Sequence, residues 1–494
     1  MILSQKVLNI IWVVLLLVMP ISSFTPLSQL MGGTNVAPLA LIPSVIILLF
    51  YWFPALFKGG KKLPYQVKPL YLFFLVGCLS SLLIFLRNVP SFQGFNLNRS
   101  VLETLVTFAI GTSFYLVTIF MVTDENKLRS TIRWISIAGI ILMAYSWLQV
   151  ATWIIFRHYP EWMFTLNWYI SASGKLFEHR ASGLTFEPSW LAHELNILFI
   201  PLWLGLSISG QSVFKRKFFD RIQVERALFV FTLATMFITF SRIGWITVIL
   251  LVTYVIFRLT NTWVMKKTAS LNDISVLDRR RQRLLRFGIW SGLLIGVFAV
   301  TLIAGVIMTK IEPRMAGLFD FQRLIERGFL EWAAKLSMAE RFTYWMAFYG
   351  VFQLFPVMGA GFGVPGFFFQ QTVSDYGSQL LDINELILTK SYLPNAKNLW
   401  VRLLSETGII GFSLFVSWII VHWRNASELD KLSEAGLLKA MGLVGKLILL
   451  AMILEGFSLD TFGLPYYWIG LGLIVASWRA KSEYQDGKSK QKSA

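Results

Sequence analysis

The sequence predicts an all-α, polytopic membrane helix bundle, and three observations predict it. Hydrophobic residues make up 55% of the 494 and charged residues 15%, with a mean hydropathy of +0.61; soluble domains carry about 25% charged residues. Runs such as PLYLFFLVGCLSSLLIFL (69–86) and FGIWSGLLIGVFAVTLIAGVIM (287–308) reach the roughly 20 apolar residues that cross a bilayer as a helix. Lysines and arginines gather in loops of one parity, KGGKK, DENKLRSTIR, FKRKFFDRIQVER and DRRRQRLLR, as loops on the cytoplasmic side do.

About twelve spans are expected in chain order, at 7–24, 36–57, 69–86, 101–122, 134–156, 189–209, 227–240, 243–257, 287–309, 399–421, 437–454 and 463–478. The first follows Lys6 and reads as a retained span, because no small-residue cleavage site follows it. The pair 227–240 and 243–257 is short, and packs around the turn FSR as a hairpin. Three regions result: an N-terminal membrane bundle over 1–309 with about nine spans, a long outer loop over 310–398, and C-terminal spans with a basic tail over 399–494. The charge rule puts both termini and the basic loops inside. It puts 158–188, the turn around Arg242 and the long loop outside. The net charge of +18 is then mostly topology, suited to anionic lipid rather than to nucleic acid.

Within the long loop, Leu318, Phe321, Ile325, Phe329, Trp332 and Leu336 recur at helical spacing, with Asp320, Arg323, Arg327, Glu331 and Lys335 opposite. One amphipathic helix over 315–340 is expected, lying on the outer leaflet or capping the bundle. Other patterns fail. GFGVPG (361–366) has the G-x-G-x-x-G spacing but no preceding strand or following helix, so it reads as a glycine-rich turn. His193-Glu194 begins like H-E-x-x-H, yet no second histidine follows, and no metal is expected from His158, His179 and His193. No phosphate loop of the nucleotide-binding type occurs, and no cofactor is expected. The single cysteine, Cys78, sits in an apolar run and reads as a small buried apolar residue.

Charges near spans cost about 2.5–3.5 kcal/mol each at mid-bilayer on insertion scales, so those retained call for a reason. Arg180, Glu187, His193, Glu194, Arg242, Arg341, Lys397, Arg402 and Glu406 gather on the outer side. Arginine donates in pairs to phosphate oxygens and stays charged, so three arginines converging there would hold a pyrophosphate. Arg242 divides two apolar runs with almost no loop between them, which points its side chain to a shared cavity or the interface. Asn398, Arg402 and Glu406 stand at i, i+4, i+8 on one helix face. They form either a self-neutralising ion pair or a polar stripe lining a cavity.

At these residues the sequence resembles the O-antigen ligase/polymerase superfamily. RASGLTFEPSWLA carries Arg180, Gly183, Phe186, Pro188 and Ala192 of one family block, and TFSRIGWI carries Arg242. RFTYWMAFYGVFQLFPVMGAGFG carries Arg341, Trp345, Pro356, Gly359, Gly361 and Gly363; PNAKNLWVRLLSETGIIG carries Asn398, Glu406, Gly408 and Gly411. The blocks span about 180–411 in the family's order. The resemblance implies a GT-C-like bundle in the bacterial cytoplasmic (inner) membrane. It also implies a metal-independent transfer of a glycan from undecaprenyl pyrophosphate at the outer leaflet. Partners would be that lipid-linked oligosaccharide, membrane lipids, and a chain-length regulator or other polysaccharide assembly proteins. Arg180, Arg242, Arg341, Lys397 and Arg402 would bind the pyrophosphate; Glu187, His193 and Glu406 are the candidate catalytic groups, Glu187 first as base. Gly183, Pro188, Gly359, Gly361, Gly363 and Asn398 would be structural. One departure matters: the family's ligase histidine is Lys397 here, and an ordinary lysine is protonated near neutral pH. That favours a polymerase over a ligase, with an anion (bicarbonate) transporter or a sugar–lipid flippase as other readings.

Overall fold

The computed structural model describes residues 4–57, 63–214, 222–269, 320–336, 338–389, 392–434 and 436–493, with residue 317 and scattered residues between 284 and 309. Among the described residues the helices named are all α, 3-10 or π, and isolated bridges link Ser23 to Ala37 and to Ser171. The helices that matter here are α1 (Gln5–Val18), α2 (Leu41–Phe57), α3 (Lys68–Ile84), α4 (Leu97–Met121), α5 (Glu125–Phe156), α6 (Glu161–Ile170), α7 (Pro188–Ile208), α8 (Val224–Thr239) and α9 (Arg242–Ala269). After them come α10 (Phe321–Arg327), α11 (Phe329–Lys335), α12 (Ala339–Leu354), α13 (Leu399–Asp430), α14 (Leu437–Glu455) and α15 (Pro465–Ser493). The chain forms two compact units, 1–244 with 343–494, and 245–342.

Seven helices among the described residues are long and apolar enough to cross a membrane: α3, α4, α5, α7, α9, α13 and α14. Two shorter apolar helices, α1 and α2, fall on the expected first and second spans. The chain is thus a multi-pass membrane protein, with fewer full-length spans described than the twelve expected. The expected span at 287–309 lies mostly outside the described residues. The expected short span at 243–257 is corrected: α9 runs from Arg242 to Ala269, and its 22-residue stretch to Trp263 is long enough to cross.

Local chemistry sets the helix ends. The Asn96 carboxamide accepts from the Arg99 amide at 3.2 Å and starts α4; Asp124 accepts from the Lys127 amide at 3.0 Å and starts α5. Left-handed residues end two helices, Arg157 after α5 and Phe240 after α8. Inside unit one, α13 packs along α14 and α3, α4 along α15, and α7 along α14. Large aromatic side chains fill the centre: Trp203, Trp418, Trp468 and Tyr115 are fully buried. Trp203 donates to Ser136 at 3.0 Å, and Tyr115 bonds His422 at 2.9 Å, so these two polar tips are satisfied in the apolar centre. By contrast α3 shows a largely open face, with Tyr71, Leu72, Leu75, Leu79 and Leu82 exposed, as a lipid-facing helix does.

Two expectations change. The amphipathic helix over 315–340 is two helices, α10 and α11, because Gly328 at φ 84°, ψ 172° breaks it. Of its apolar positions, Phe321 and Ile325 are exposed and Leu336 is buried, while Leu318 lies outside the described residues. Cys78, expected to be buried, is half-buried on α3.

Candidate functional site

The block around Arg180 is a turn that delivers α7. Gly183 takes φ 58°, and a Cβ there would meet Ser146 Oγ at 2.5 Å. Gln149 of α5 clamps this turn: its carbonyl oxygen accepts from the amides of Ser182 (3.1 Å) and Gly183 (2.8 Å), and its amide donates to the Gly183 carbonyl (3.2 Å). Pro188 opens α7 at a position where a missing N–H costs nothing. The same turn is sewn to the end of α8. The Ala181 amide donates to the Ile238 carbonyl at 2.8 Å, and Arg180 Nε donates to the Thr239 carbonyl at 3.1 Å. Upstream, Tyr159 donates to the Phe177 carbonyl at 2.8 Å. Burial, then the charge of Glu178, pushes its phenol pKa up to about 12, so it remains a neutral donor.

Arg242 stands at the start of α9, where Ser241 Oγ accepts from the Gly244 amide at 3.4 Å. The Gly244 carbonyl in turn accepts from Asn196 Nδ2 at 3.0 Å. Asn196 lies in a π turn of α7, Leu195–Phe199, directly after His193 and Glu194. Such a wide turn re-aims the side chains beside it and is frequent at functional sites. His193 and Asn196 converge on one buried carboxylate, Glu455, at the end of α14. His193 Nδ1 bonds Glu455 Oε2, and Asn196 donates to Glu455 Oε1. The histidine and carboxylate side chains are 3% and 0% exposed. On the other ring nitrogen, His193 Nε2 meets Ser458 Oγ at 3.2 Å.

Ser458 belongs to the connection between α14 and α15, and that connection also holds the start of α13. The Leu399 amide donates to the Gly456 carbonyl at 2.7 Å, and the Lys397 amide to Asp460 Oδ2 at 2.8 Å. Lys397 is left-handed at φ 49°, and its ammonium stands 4.1 Å from the centre of the Tyr344 ring. Asn398 is the N-cap of α13, its side chain accepting from the Trp400 (2.9 Å) and Val401 (3.2 Å) amides. Arg402 bonds the Asp460 carbonyl, pairs through Nε with Glu406 Oε1 at 3.0 Å, and lies over the Phe462 ring. Arg402 and Glu406 form the ion pair that one of the two sequence readings expects.

Glu406 also organises the glycine block. Gly408, at φ 61° and ψ −166°, breaks α13 from within. In an unbroken helix the amides of 409 and 410 would bond the carbonyls of 405 and 406. Here the 356–361 loop takes both sets. The Ala360 amide donates to the Ser405 carbonyl (2.8 Å) and the Gly361 amide to the Glu406 carbonyl (2.9 Å); the Ile409 and Ile410 amides donate to the Pro356 (2.9 Å) and Val357 (3.2 Å) carbonyls. Within a membrane bundle such an exchange is what a broken helix needs, since water is not there to satisfy the backbone. The Gly363 amide adds a bond to Glu406 Oε1 at 3.0 Å. Gly359 lies so close that a Cβ would meet the Glu406 and Thr407 backbone at 2.4 Å. The expected glycine-rich turn at 361–366 is therefore part of a loop spliced into a helix.

The remaining expected site residues fall as follows. Glu187 stands at the N-cap position of α7, half-buried, with its carboxylate accepting from Ser189 of its own helix. Arg341 lies in the first turn of α12 and belongs to the second unit. His158, His179 and His193 have separate partners: the Phe156 carbonyl, the Trp153 indole N–H and Glu455. Sequence reasoning missed Asn196, Glu455, Ser458 and Asp460. Glu455 and Asp460 did carry a signal, a pair of charges in MILEGFSLDTFG just where an apolar run ends. A further feature lies beside them, a groove of about 400 Å³ lined by Trp400, Val416, Ile419, Ile420, Trp423, Ile453 and Phe457. The Trp400 indole N–H is turned to the Ile453 carbonyl at 3.1 Å, which leaves its ring to the groove.

Residues 227–416 match the family model described as O-Antigen ligase (Wzy_C). This stretch is similar to an O-antigen ligase domain, which supports the resemblance to the O-antigen ligase/polymerase superfamily. The matched stretch takes in Arg242, Arg341, the glycine loop, Lys397, Arg402 and Glu406, so the helix splice at Gly408 lies wholly inside it. Arg180, Glu187 and His193 precede it, and Glu455, Ser458 and Asp460 follow it. The matched stretch meets its flanks through Arg180 on Thr239, Asn196 on Gly244 and Asp460 on Lys397 and Arg402. A search of curated proteins found no match.

Proposed function

We propose that this O-antigen ligase/polymerase-type membrane enzyme polymerises undecaprenyl-pyrophosphate-linked glycans at the outer face of the bacterial cytoplasmic membrane, with both termini cytoplasmic. The reading is supported by the hydrogen bonds that link the segments carrying Arg180, Arg242, Lys397 and Arg402 within unit one, beside an apolar groove. A lipid pyrophosphate has those two needs, fixed cations for its head and an apolar track for its chain. The groove begins at Trp400 and Phe457, within a few residues of Lys397 and Ser458. In this reading the cations bind the pyrophosphate and offset the charge that grows on it as the glycosidic bond breaks, the role the resemblance also implies for Arg341. Arg402 is at the same time held by Glu406 and the Asp460 carbonyl. Glu406 is assigned to the helix splice rather than to proton transfer, and Glu187 to the start of α7. The acceptor is the next lipid-linked repeat unit, and neither a metal nor a nucleotide takes part.

The test is direct. Purified protein and a defined lipid-linked repeat unit should give a ladder of products on a gel, and Arg242→Ala and Arg341→Ala variants that fold should not. Full-length ladders from both variants would sink the arginine assignment. The second reading is a ligase, favoured by the description of the matched family. Loss of a ligase leaves long lipid-linked chains to accumulate in cells, whereas loss of a polymerase leaves single repeats. Arg242-dependent uptake of a labelled anion by proteoliposomes, with no ladder, would instead support transport.

A further inference from the structure

We propose that Ser458, His193 and Glu455 form the proton relay of this site, with the Ser458 hydroxyl touching the acceptor sugar and His193 taking its proton. The inference rests on the glycan-transfer reading above and names the base that reading lacks, since Lys397 stands where the family's histidine is expected.

The geometry has the three parts a relay needs. A carboxylate only accepts hydrogen bonds, so with Glu455 Oε2 on His193 Nδ1 the neutral imidazole keeps its proton on Nδ1. Nε2 then offers a lone pair, and the Ser458 hydroxyl, 3.2 Å away, donates to it. Glu455 cannot turn aside, because its other oxygen is held by Asn196, which is itself tied to the Gly244 carbonyl. His193 and Glu455 are buried, while Ser458 is only half-buried, the most accessible of the three. Ser458 lies two residues from Asp460, which holds the Lys397 backbone and the Arg402 side chain. The relay therefore opens beside the proposed pyrophosphate cations. A plain packing role would call for none of this, and burying a carboxylate with an imidazole in an apolar bundle is costly.

In the step itself, the acceptor hydroxyl oxygen forms a bond to the anomeric carbon of the donor. The bond from that carbon to the phosphate oxygen breaks, and its electron pair leaves on the pyrophosphate. The acceptor's proton passes to Ser458 Oγ as the Ser458 proton passes to His193 Nε2. Glu455 faces the imidazolium so formed, which afterwards returns its proton to water by the same path. Ser458 is the catalytic residue here, and His193 and Glu455 act through it.

The experiment uses the full chain in lipid nanodiscs with a synthetic lipid-linked repeat unit, and reads initial rate, donor KM and thermal unfolding. Ser458→Ala and Glu455→Gln should each lower kcat by about 10²–10⁴-fold, the range of general acid–base catalysis, with donor KM held within about threefold. The Gln amide can donate to Nδ1, which forces the wrong tautomer on His193. Ser458→Thr, which restores the hydroxyl, should recover at least about a tenth of the wild-type rate, a recovery that a merely structural role does not predict. If wild type makes ladders and folded Ser458→Ala makes them at a rate within threefold, the relay is wrong while glycan transfer stands. If wild type transfers no glycan to any acceptor, the functional reading falls and the relay with it.

Discussion

Glu406 and Glu455 are both buried carboxylates paired with a basic side chain, and they differ in how they are held. Glu406 takes Arg402 from the preceding turn of its own helix and the amide of Gly363 from a loop. Glu455 takes His193 and Asn196 from α7, across separations of 262 and 259 residues. The first pair forms as soon as α13 forms. The second exists only when α7 and α14 are packed, so it reports on the assembled bundle. The proposed roles divide the same way. The local pair braces a spliced helix, and the long-range pair is left with a ring nitrogen facing Ser458.

Four substitutions would sharpen or break that contrast. The largest effect is expected at Glu455→Ala, which strands His193 and Asn196 in the bundle and should cost about 3–5 kcal/mol, the usual cost of breaking a buried pair; thermal unfolding in detergent reads it. Next comes Gly359→Ala, where a left-handed backbone and a Cβ 2.4 Å from the Glu406 backbone coincide. Strain and overpacking together should cost about 3 kcal/mol, seen as a lower unfolding midpoint and weaker hydrogen-exchange protection at Ile409 and Ile410. Glu406→Gln keeps an acceptor for the Gly363 amide and loses the charge of the Arg402 pair, so a loss of about 1–2 kcal/mol is expected, with polymer ladders retained. Were Glu406→Gln to abolish ladders in a folded protein, the division of roles between the two carboxylates would be wrong. Smallest is Asn398→Ala, which removes the cap of α13 and should cost about 1 kcal/mol, measured as a modest shift in unfolding midpoint.

Much of this site was readable along the chain, and the readable parts share a property. The Arg402–Glu406 pair follows from helical spacing, the glycines of the 359–363 loop mark close approaches, and Pro188 marks a helix start. All are local statements about one stretch of chain. The break at Gly328 was also local, yet the regular apolar spacing around it hid it, because periodicity counts side chains and not backbone angles. Asn398 was expected on a face with Arg402 and Glu406, and it is the cap of the helix instead, a difference of one residue in where α13 begins. Glu455, Asp460 and Ser458 were passed over because their partners lie far away in sequence, at His193, Lys397 and Arg402.

The sequence by itself determined that the chain is an all-α membrane protein, where most of its helices run, and which blocks resemble the superfamily. Hydrophobic length, charge placement and glycine spacing are properties of a chain taken one segment at a time. Only the tertiary structure decided that the glycine loop completes the broken α13, and that His193 meets Glu455 rather than another histidine. Those outcomes depend on which buried polar groups come within hydrogen-bond reach once the helices pack, and in an apolar bundle each such group settles on the partner that packing brings to it.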